Sequence, residues 1–341
     1  MKKVRKYRDY LDKYINQAAL SRFEIFLSMI SVKLIFQKRA KYLIQLYQNL
    51  FSSQKDEDSK NIEIRVKLYG GRNFHVEKMR LFLNKYLEND LIGAYVHGSL
   101  ATSEEVVYSD FDALVIIKDE VFSSSKRLAN VAYHLFKAQS IMFAFDPLQH
   151  HGWFVLTESD LKDYPEEYIP AEVLRHAKSL LRDRGLTLTI HLPAAFPDMG
   201  EAFNIHCLGL LQLLSKRRFP RNLYQLKGLF SQFMLLPALY IQARDKKGIY
   251  KKDSFASAKK DFSAMDWSIM DEVSSLRQQW ACRISPWRRW LLTKSPIQIS
   301  RSFAYRFAPA ILPPIREKLS IDFFERMRKL VETMEGKLRL T

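Results

Sequence analysis

The chain has 341 residues and a mass of 40.1 kDa, enough for about two folded domains. Its formal net charge of +17 favours a polyanionic substrate or partner, although surface Lys and Arg that only keep the protein soluble are the alternative. Two distant cysteines, Cys207 and Cys282, exclude a disulfide framework and a cysteine metal site, as is typical of a reducing cytoplasm. Because no apolar run reaches the roughly 18 to 20 residues that a membrane span needs, and no secretory apolar core follows the basic N-terminus, we expect a soluble, cytoplasmic protein without a membrane span.

The predicted elements change character twice along the chain. Apolar residues recur every three or four positions over residues 1–52 and again from about residue 200 onward, which predicts helices at both ends. The middle mixes alternating, strand-like runs with helical spacing, and the polar run SSQKDEDSKN at 52–61 predicts an exposed linker before it. The sequence therefore predicts an α+β protein in three parts: an N-terminal helical region (1–60), a central strand-and-helix domain (61–195) and a C-terminal helical domain (196–341).

The central part places two aspartates in an apolar run. The segment YVHGSLATSEEVVYSDFDALVII spans Tyr95 to Ile117 and holds Asp110 and Asp112 at the start of a predicted strand. Because side chains alternate along a strand, residues two apart share a face, so the two carboxylates are predicted to project side by side. Neighbouring carboxylates resist ionisation unless positive charge lies between them, and oxygen ligands favour Mg²⁺. We therefore expect a divalent metal at Asp110 and Asp112, and a slight gain in metal-free stability when either is changed to Asn.

The same segment resembles the signature of the DNA polymerase beta superfamily of nucleotidyltransferases. That signature is a hydrophobic strand ending in Gly-Ser, a short linker, and Asp-x-Asp leading a second hydrophobic strand; IGAYVHGS and SDFDALVII stand in these places. The resemblance covers residue 61 to about residue 190, and the helices that follow are similar, more loosely, to those of kanamycin-type and minimal nucleotidyltransferases. It implies a polymerase-beta-type nucleotidyltransferase domain with a mixed sheet, flanked by helices, in which Asp110 and Asp112 are catalytic and hold Mg²⁺ or Mn²⁺. It also implies that Gly98, Ser99 and Ser109 bind the nucleotide.

The third acidic position of that family departs from the pattern. Family members usually carry a further carboxylate on a later strand, but the corresponding run here, LQHHGWFVL, has no acidic residue. His151 is the preferred catalytic candidate, because imidazole can accept a proton near neutral pH or ligate a metal. Strand alternation would turn His150 away. Asp146, just ahead of the run, is the second candidate, and loss of the position is the third possibility.

Two basic segments further along the chain can each be interpreted as a binding site or as an ordinary part of the surface. Lys251 and Lys252 match the region where the resemblance implies lysines that reach nucleotide phosphates, although a solvated charged turn is as good an interpretation. The run Trp287-Arg288-Arg289-Trp290 joins aromatic and cationic side chains as surfaces for single-stranded nucleic acid do. Tryptophans packed beneath exposed arginines are the alternative.

The sequence predicts a metal-dependent nucleotidyltransferase. It would move a nucleoside monophosphate from an NTP, with ATP as the default donor, to an acceptor, and release pyrophosphate. The acceptor stays open among a small molecule, a protein side chain and RNA or another polyanion, as does the oligomeric state. The alternative is a catalytically impaired nucleotide- or RNA-binding protein of the same fold, in which the third position has been lost.

Overall fold

The computed structural model describes residues 2–16, 32–51, 60–182, 184–215, 219–280, 282–294 and 305–339. Most of the predicted linker (52–59) and parts of the predicted N-terminal and basic C-terminal segments (17–31 and 295–304) lie outside the described residues. The strands are β1 (Lys60–Arg65), β2 (Lys67–Leu68), β3 (Leu91–Val96), β4 (Ala113–Ile117), β5 (Phe154–Thr157), β6 (Lys178–Ser179) and β7 (Thr187–Leu192). The helices are α1 (Lys2–Ile15), α2 (Val32–Phe51), α3 (Phe74–Tyr86), α4 (Gly98–Thr102), α5 (Ser125–Phe145), α6 (Ala171–His176), α7 (Gly200–Ser215), α8 (Leu223–Phe233), α9 (Leu236–Asp245), α10 (Lys251–Lys259), α11 (Ala264–Gln278), α12 (Pro286–Lys294), α13 (Pro313–Arg316) and α14 (Ile321–Arg339).

A mixed five-stranded sheet with the order β2-β6-β3-β4-β5 organises the central part of this α+β protein. Strands β3 and β4 are antiparallel, with Val96 opposite Ala113, whereas β4 and β5 are parallel, with Leu114 opposite Phe154. Strands β1 and β7 form a separate antiparallel pair. The arrangement brings the end of β3, the start of β4 and the start of β5 to one edge of the sheet.

Strand β4 is an interior strand of the sheet, and its sequence is apolar on both faces. All five residues of ALVII are buried, as expected for a strand covered on both sides. Val115 packs in a core shared with α1, α2, α3 and α5, while Leu114 and Ile116 pack in a second core that includes residues of β1, β7 and α6. The described N-terminal helices therefore share the hydrophobic core of the sheet.

The helices after β7 build a third apolar core of their own. It includes Phe230 of α8, Trp267 of α11 and Met327 of α14, together with Tyr108 and Leu148 from the central part. The apolar run at 225–248 divides into α8 and α9, since Pro237 lies in the first turn of α9 and lacks the N–H that a continuous helix needs. Helix α8 consequently lies against the segment that leads into β4.

Two predicted strands are shorter than their sequences suggest. Strand β4 begins at Ala113, so Asp110 and Asp112 lie in the extended segment just before it, and β5 begins at Phe154, so both histidines precede it. The reason is Gln149, whose side chain accepts a hydrogen bond from the Phe111 N–H (2.8 Å) and donates one to the Phe111 carbonyl (3.1 Å). A side chain thus occupies the place that a neighbouring strand would fill. No helix in the described parts of the chain is long and apolar enough to cross a membrane.

Candidate active site

Asp110 and Asp112 flank a fully buried residue, Phe111, in the segment before β4. The Phe111 ring packs against Phe145 with centroids 5.8 Å apart, and the Gln149 side chain holds its backbone. The side chain of Asp110 is 16% exposed and that of Asp112 is 26% exposed, so both carboxylates lie outside that core. Burial raises the pKa of both carboxyl groups, but their cationic partners, Lys227 for Asp110 and His151 for Asp112, outweigh it and lower the pKa of each.

Gly98 is the residue that lets the backbone approach Asp112. Its φ is +65°, and a Cβ built there would lie 2.5 Å from Asp112 Oδ2. The next residue, Ser99, is half-buried and is the second residue of the short helix α4. Ser109 is committed to a local turn: its N–H donates to the Val106 carbonyl (2.8 Å), and its hydroxyl accepts from the Val106 N–H (3.0 Å). Gly98 and Ser99 therefore lie at the acidic edge of the sheet, while the Ser109 hydroxyl stabilises the loop that leads to it.

His151 is paired with Asp112. Its Nε2 lies 3.0 Å from Asp112 Oδ1, and its Nδ1 lies 3.1 Å from the Gly152 carbonyl. Because both ring nitrogens face oxygen acceptors, the doubly protonated imidazolium satisfies both. Burial disfavours that charge, but the hydrogen bond and charge of Asp112, helped by Asp110, outweigh it and raise the His151 pKa to about 9. The imidazole therefore acts as a cationic partner of Asp112 at neutral pH.

Asp110 has a cationic partner from a distant part of the chain. The ammonium group of Lys227 on α8 lies 2.8 Å from Asp110 Oδ1 and 2.5 Å from Asp146 Oδ2, and the side chain is 1% exposed. Burial disfavours the Lys227 charge, but the two carboxylates outweigh it and raise the pKa of this lysine. Lys227 is thus held as a cation between two aspartates.

Asp146 belongs to the same group of charges. It follows α5 as the C-cap residue, and its Oδ1 accepts a hydrogen bond from the Leu148 N–H (3.0 Å). Burial raises its pKa to about 7, and Asp110 adds to this effect while Lys227 opposes it. Both candidates for the third position, His151 and Asp146, therefore adjoin the aspartate pair, one through Asp112 and the other through Lys227. We call Asp110, Asp112, Asp146, His151 and Lys227 the charged cluster.

The two remaining histidines of this region differ in surroundings. His150 is exposed as a residue and stacks on the Tyr224 ring, with centroids 4.1 Å apart; desolvation of its imidazole is the main cause that lowers its pKa to about 4. His97, which precedes Gly98, is buried, and its Nε2 has no hydrogen-bond partner in the described structure. Burial lowers the His97 pKa, against the effect of Asp112. Neither imidazole is held by a carboxylate as His151 is.

The lysines expected near phosphate have different environments. Lys252 of α10 forms an ion pair with Glu104 in the loop after α4. Lys251 is exposed as a residue, yet desolvation and the charge of Arg277 lower its pKa to about 8, against the effects of Asp112 and Asp110. Lys251 therefore lies within electrostatic range of the aspartate pair.

The tryptophans of α12 are exposed and not packed into the core. Trp287 is 56% exposed and Trp290 is 60% exposed. The Arg288 guanidinium lies 5.3 Å from the centre of the Trp287 ring, and Arg289 donates to the Ala144 carbonyl at the end of α5 (2.6 Å). The run from Trp287 to Trp290 thus forms an exposed aromatic and cationic surface that contacts the end of α5, two residues before Asp146.

Sequence reasoning missed Lys227 and Asn16. Lys227 was hidden in the apolar run of α8, where its only signal is a cation among positions that are otherwise buried. Asn16 follows α1, and its Oδ1 accepts from the Trp153 N–H (2.8 Å) while its Nδ2 donates to the Trp153 carbonyl (2.9 Å). These bonds tie the N-terminal helix to the segment that carries His151. No sequence signal connects Asn16 with that segment.

The carboxylates of the aspartate pair suit a divalent ion whose remaining ligands come from the substrate. Among the described residues, no group of three or more His, Cys, Asp and Glu side chains is placed to hold a metal by itself. Mg²⁺, however, usually binds through one or two carboxylates together with substrate phosphates and water. The carboxylates of Asp110 and Asp112, next to the backbone of Gly98, fit that requirement.

Comparisons with known proteins give little beyond this geometry. No family model matches the chain, and no curated protein matches it. Among solved structures, the chain is similar to the spectinomycin adenyltransferase of Enterococcus faecialis, solved with ATP and spectinomycin. The two share 14% identity over 67% of this chain and 98% of that one, with a TM-score of 0.35. A TM-score of this size carries no weight for the function.

Proposed function

We propose that this chain is a metal-dependent nucleotidyltransferase. It transfers a nucleoside monophosphate from an NTP, with ATP as the default donor, to a hydroxyl or phosphate acceptor and releases pyrophosphate. The observation that carries the proposal is the edge formed by Gly98, Asp110 and Asp112. Two carboxylates project there beside Gly98, and because this residue has no side chain, a phosphate group could lie against the main chain while an ion joins it to the carboxylates.

The reaction needs positioning and charge neutralisation more than covalent chemistry by the protein. The acceptor oxygen forms a bond to the α-phosphorus, the bond from that phosphorus to the bridging oxygen breaks, and pyrophosphate leaves with the electron pair. A divalent ion held by Asp110 and Asp112 would supply Lewis-acid stabilisation of the phosphoryl oxygens. Gly98 and Ser99 would hold the triphosphate, and Lys251 would add positive charge near it.

The acceptor proton requires a base, and His151 is our first candidate. It is paired with Asp112 in the protein alone, so it must give up that pairing and its proton before it can accept another. Ligation of an ion by Asp112 would remove the charge that raises the His151 pKa. Asp146 is the second candidate, because its raised pKa of about 7 suits proton transfer near neutral pH.

A catalytically impaired nucleotide- or RNA-binding protein is the second candidate function. One observation favours it: an oxygen of each carboxylate of the aspartate pair is already held by a protein cation, Lys227 on Asp110 and His151 on Asp112. If those ion pairs persist with nucleotide bound, the site keeps its affinity for phosphate and lacks the ion that transfer needs.

Pyrophosphate release distinguishes the two functions. The protein would be incubated with each labelled NTP, Mg²⁺ or Mn²⁺, and a panel of small hydroxyl compounds, proteins and RNA ends. We expect metal-dependent transfer of the label to one acceptor class, and its loss in the Asp110→Asn/Asp112→Asn double variant. Nucleotide binding without release of pyrophosphate on any acceptor, at either metal, would support the binding function instead.

A further inference from the structure

Lys227 lies where a metal ion could bridge two carboxylates. Its ammonium group is within 2.8 Å of Asp110 and 2.5 Å of Asp146, residues that belong to two separate segments of the central part. We propose that Lys227 supplies one of the positive charges of the catalytic centre. The centre would then hold one divalent ion, and not the two ions that clamp the attacking and leaving oxygens in a two-metal site. This inference rests on the proposed nucleotidyltransferase function.

The lysine is fixed in this place by its surroundings. Its side chain is 1% exposed, its ammonium group lies 5.1 Å from the centre of the Tyr108 ring, and its own carbonyl accepts a hydrogen bond from the Tyr108 hydroxyl (2.8 Å). Tyr108 stands two residues before Asp110, so the backbone of α8 and the aspartate segment are tied together. Withdrawing the ammonium group would leave two carboxylates without their buried cation, which is strongly unfavourable.

The oxygens that remain on the aspartate pair suit a single ion. Lys227 already holds one oxygen of Asp110 and one of Asp146, and His151 holds one oxygen of Asp112. The aspartate pair thus keeps one oxygen on each carboxylate that these two cations do not contact, a set that suits one ion completed by phosphate oxygens.

A buried lysine that only neutralises a buried aspartate would leave the number of bound ions unchanged. The deciding measurement is therefore the number of Mn²⁺ ions per bound nucleotide, counted by electron paramagnetic resonance and by titration calorimetry with a non-hydrolysable ATP analogue. We expect one ion in the wild type, one in Lys227→Arg and two in Lys227→Met, whose side chain has similar length and no charge. Lys259→Met removes an exposed lysine paired with Asp271 on a surface helix and serves as the matched control, with one ion expected.

Each result decides the proposal. Two ions in the wild type overturn the role of Lys227 and leave the nucleotidyltransferase function standing, whereas none in the wild type overturns both. One ion in a folded Lys227→Met protein also overturns the role of Lys227. If Lys227→Met does not fold, the wild-type count decides alone, and a crystal soaked with Mn²⁺ and the analogue locates the ion by anomalous scattering. A peak between Asp110 and Asp146 with Lys227 displaced contradicts the proposal.

Discussion

The imidazole of His151 and the carboxylate of Asp112 form an ion pair, with Nε2 of His151 3.0 Å from Oδ1 of Asp112. On the other side of Phe111, the ammonium group of Lys227 pairs with Asp110. Each carboxylate therefore meets a cation of the protein in a region where a substrate-bound metal is also proposed. The balance between these internal partners and the metal governs how the site responds to substitution.

Replacing either aspartate by Asn should lower the stability of the metal-free protein. The sequence alone favoured the opposite result through relief of repulsion, but the ion pairs reverse that expectation. Asp110→Asn removes a partner of a buried lysine, and we expect a loss of about 1 to 3 kcal/mol in the free energy of unfolding. Asp112→Asn breaks a pair that is about one-third exposed, so its loss should stay below about 1 kcal/mol.

Thermal melts in EDTA measure these two losses, and calorimetric titration of Mn²⁺ with nucleotide present measures the proposed ligand role. Each variant should bind the ion more weakly by more than about 10-fold. A higher Tm for Asp110→Asn than for the wild type would mean that repulsion outweighs the Lys227 pairing. Unchanged Mn²⁺ affinity in both variants would remove them from the metal site.

Gly98→Ala should damage both the fold and nucleotide binding. The left-handed backbone disfavours any side chain by about 1 to 2 kcal/mol, and the added Cβ would contact Asp112 Oδ2. Gly209→Ala is the matched control, because Gly209 is an exposed residue inside α7 with no atom within 4 Å of a built Cβ, and it should stabilise by up to about 1 kcal/mol. Normal nucleotide affinity in a destabilised Gly98→Ala protein would restrict Gly98 to a role in the turn.

His151→Ala should lower turnover by about 10² to 10⁴-fold and leave the Kd of the nucleotide within about threefold, if His151 is the base. His151→Asp is expected to restore part of the rate by supplying the carboxylate that the resembled family carries. His150→Ala is the control of choice, since the His150 ring stacks on Tyr224 and not on the aspartates. Single-turnover rates and nucleotide binding separate the two effects. An inactive Asp146→Asn beside a normal His151→Ala would transfer the base role to Asp146.

Glu166 should make stability fall as the pH rises. It is 6% exposed, and burial raises its pKa from 4.5 to about 7, so the folded protein favours the neutral acid. Because the folded state then binds more protons than the unfolded state between these values, the free energy of unfolding declines across this window and the loss persists above it. The pKa difference corresponds to about 3 kcal/mol as an upper value.

The Glu166→Gln variant tests this directly by urea unfolding at pH 4 and pH 8. Its carboxamide can keep the hydrogen bond that Glu166 accepts from the Ala171 N–H, so we expect little difference at pH 4 and a clear gain over the wild type at pH 8. Glu63→Gln, at an exposed position of β1, should show the same difference from the wild type at both pH values. A gain for Glu166→Gln that is equal at both pH values would show that the charge of Glu166 is not its cause.

The local features of the central part were predictable from sequence because neighbouring residues decide them. An apolar run such as ALVII buries both faces wherever it pairs, a glycine at the end of β3 permits a left-handed turn, and Asp110 and Asp112 must lie near each other because one residue separates them. Their exact backbone was not predictable. It depends on Gln149, whose side chain replaces the strand partner of Phe111 and ends the ladder at Ala113.

The partners of the aspartates depend on the tertiary structure alone. Lys227 becomes a buried cation only because Tyr108 and the third apolar core bring α8 against the aspartate segment, and Asn16 positions the His151 segment only because α1 packs beside β5. The sequence does not show which side chain a lysine in an amphipathic helix will contact in the folded protein. The sequence by itself therefore determined the acidic pair and the glycine beside it. Only the packing of distant helices decided that protein cations hold that pair, because burial of charge depends on the three-dimensional surroundings and not on local pattern.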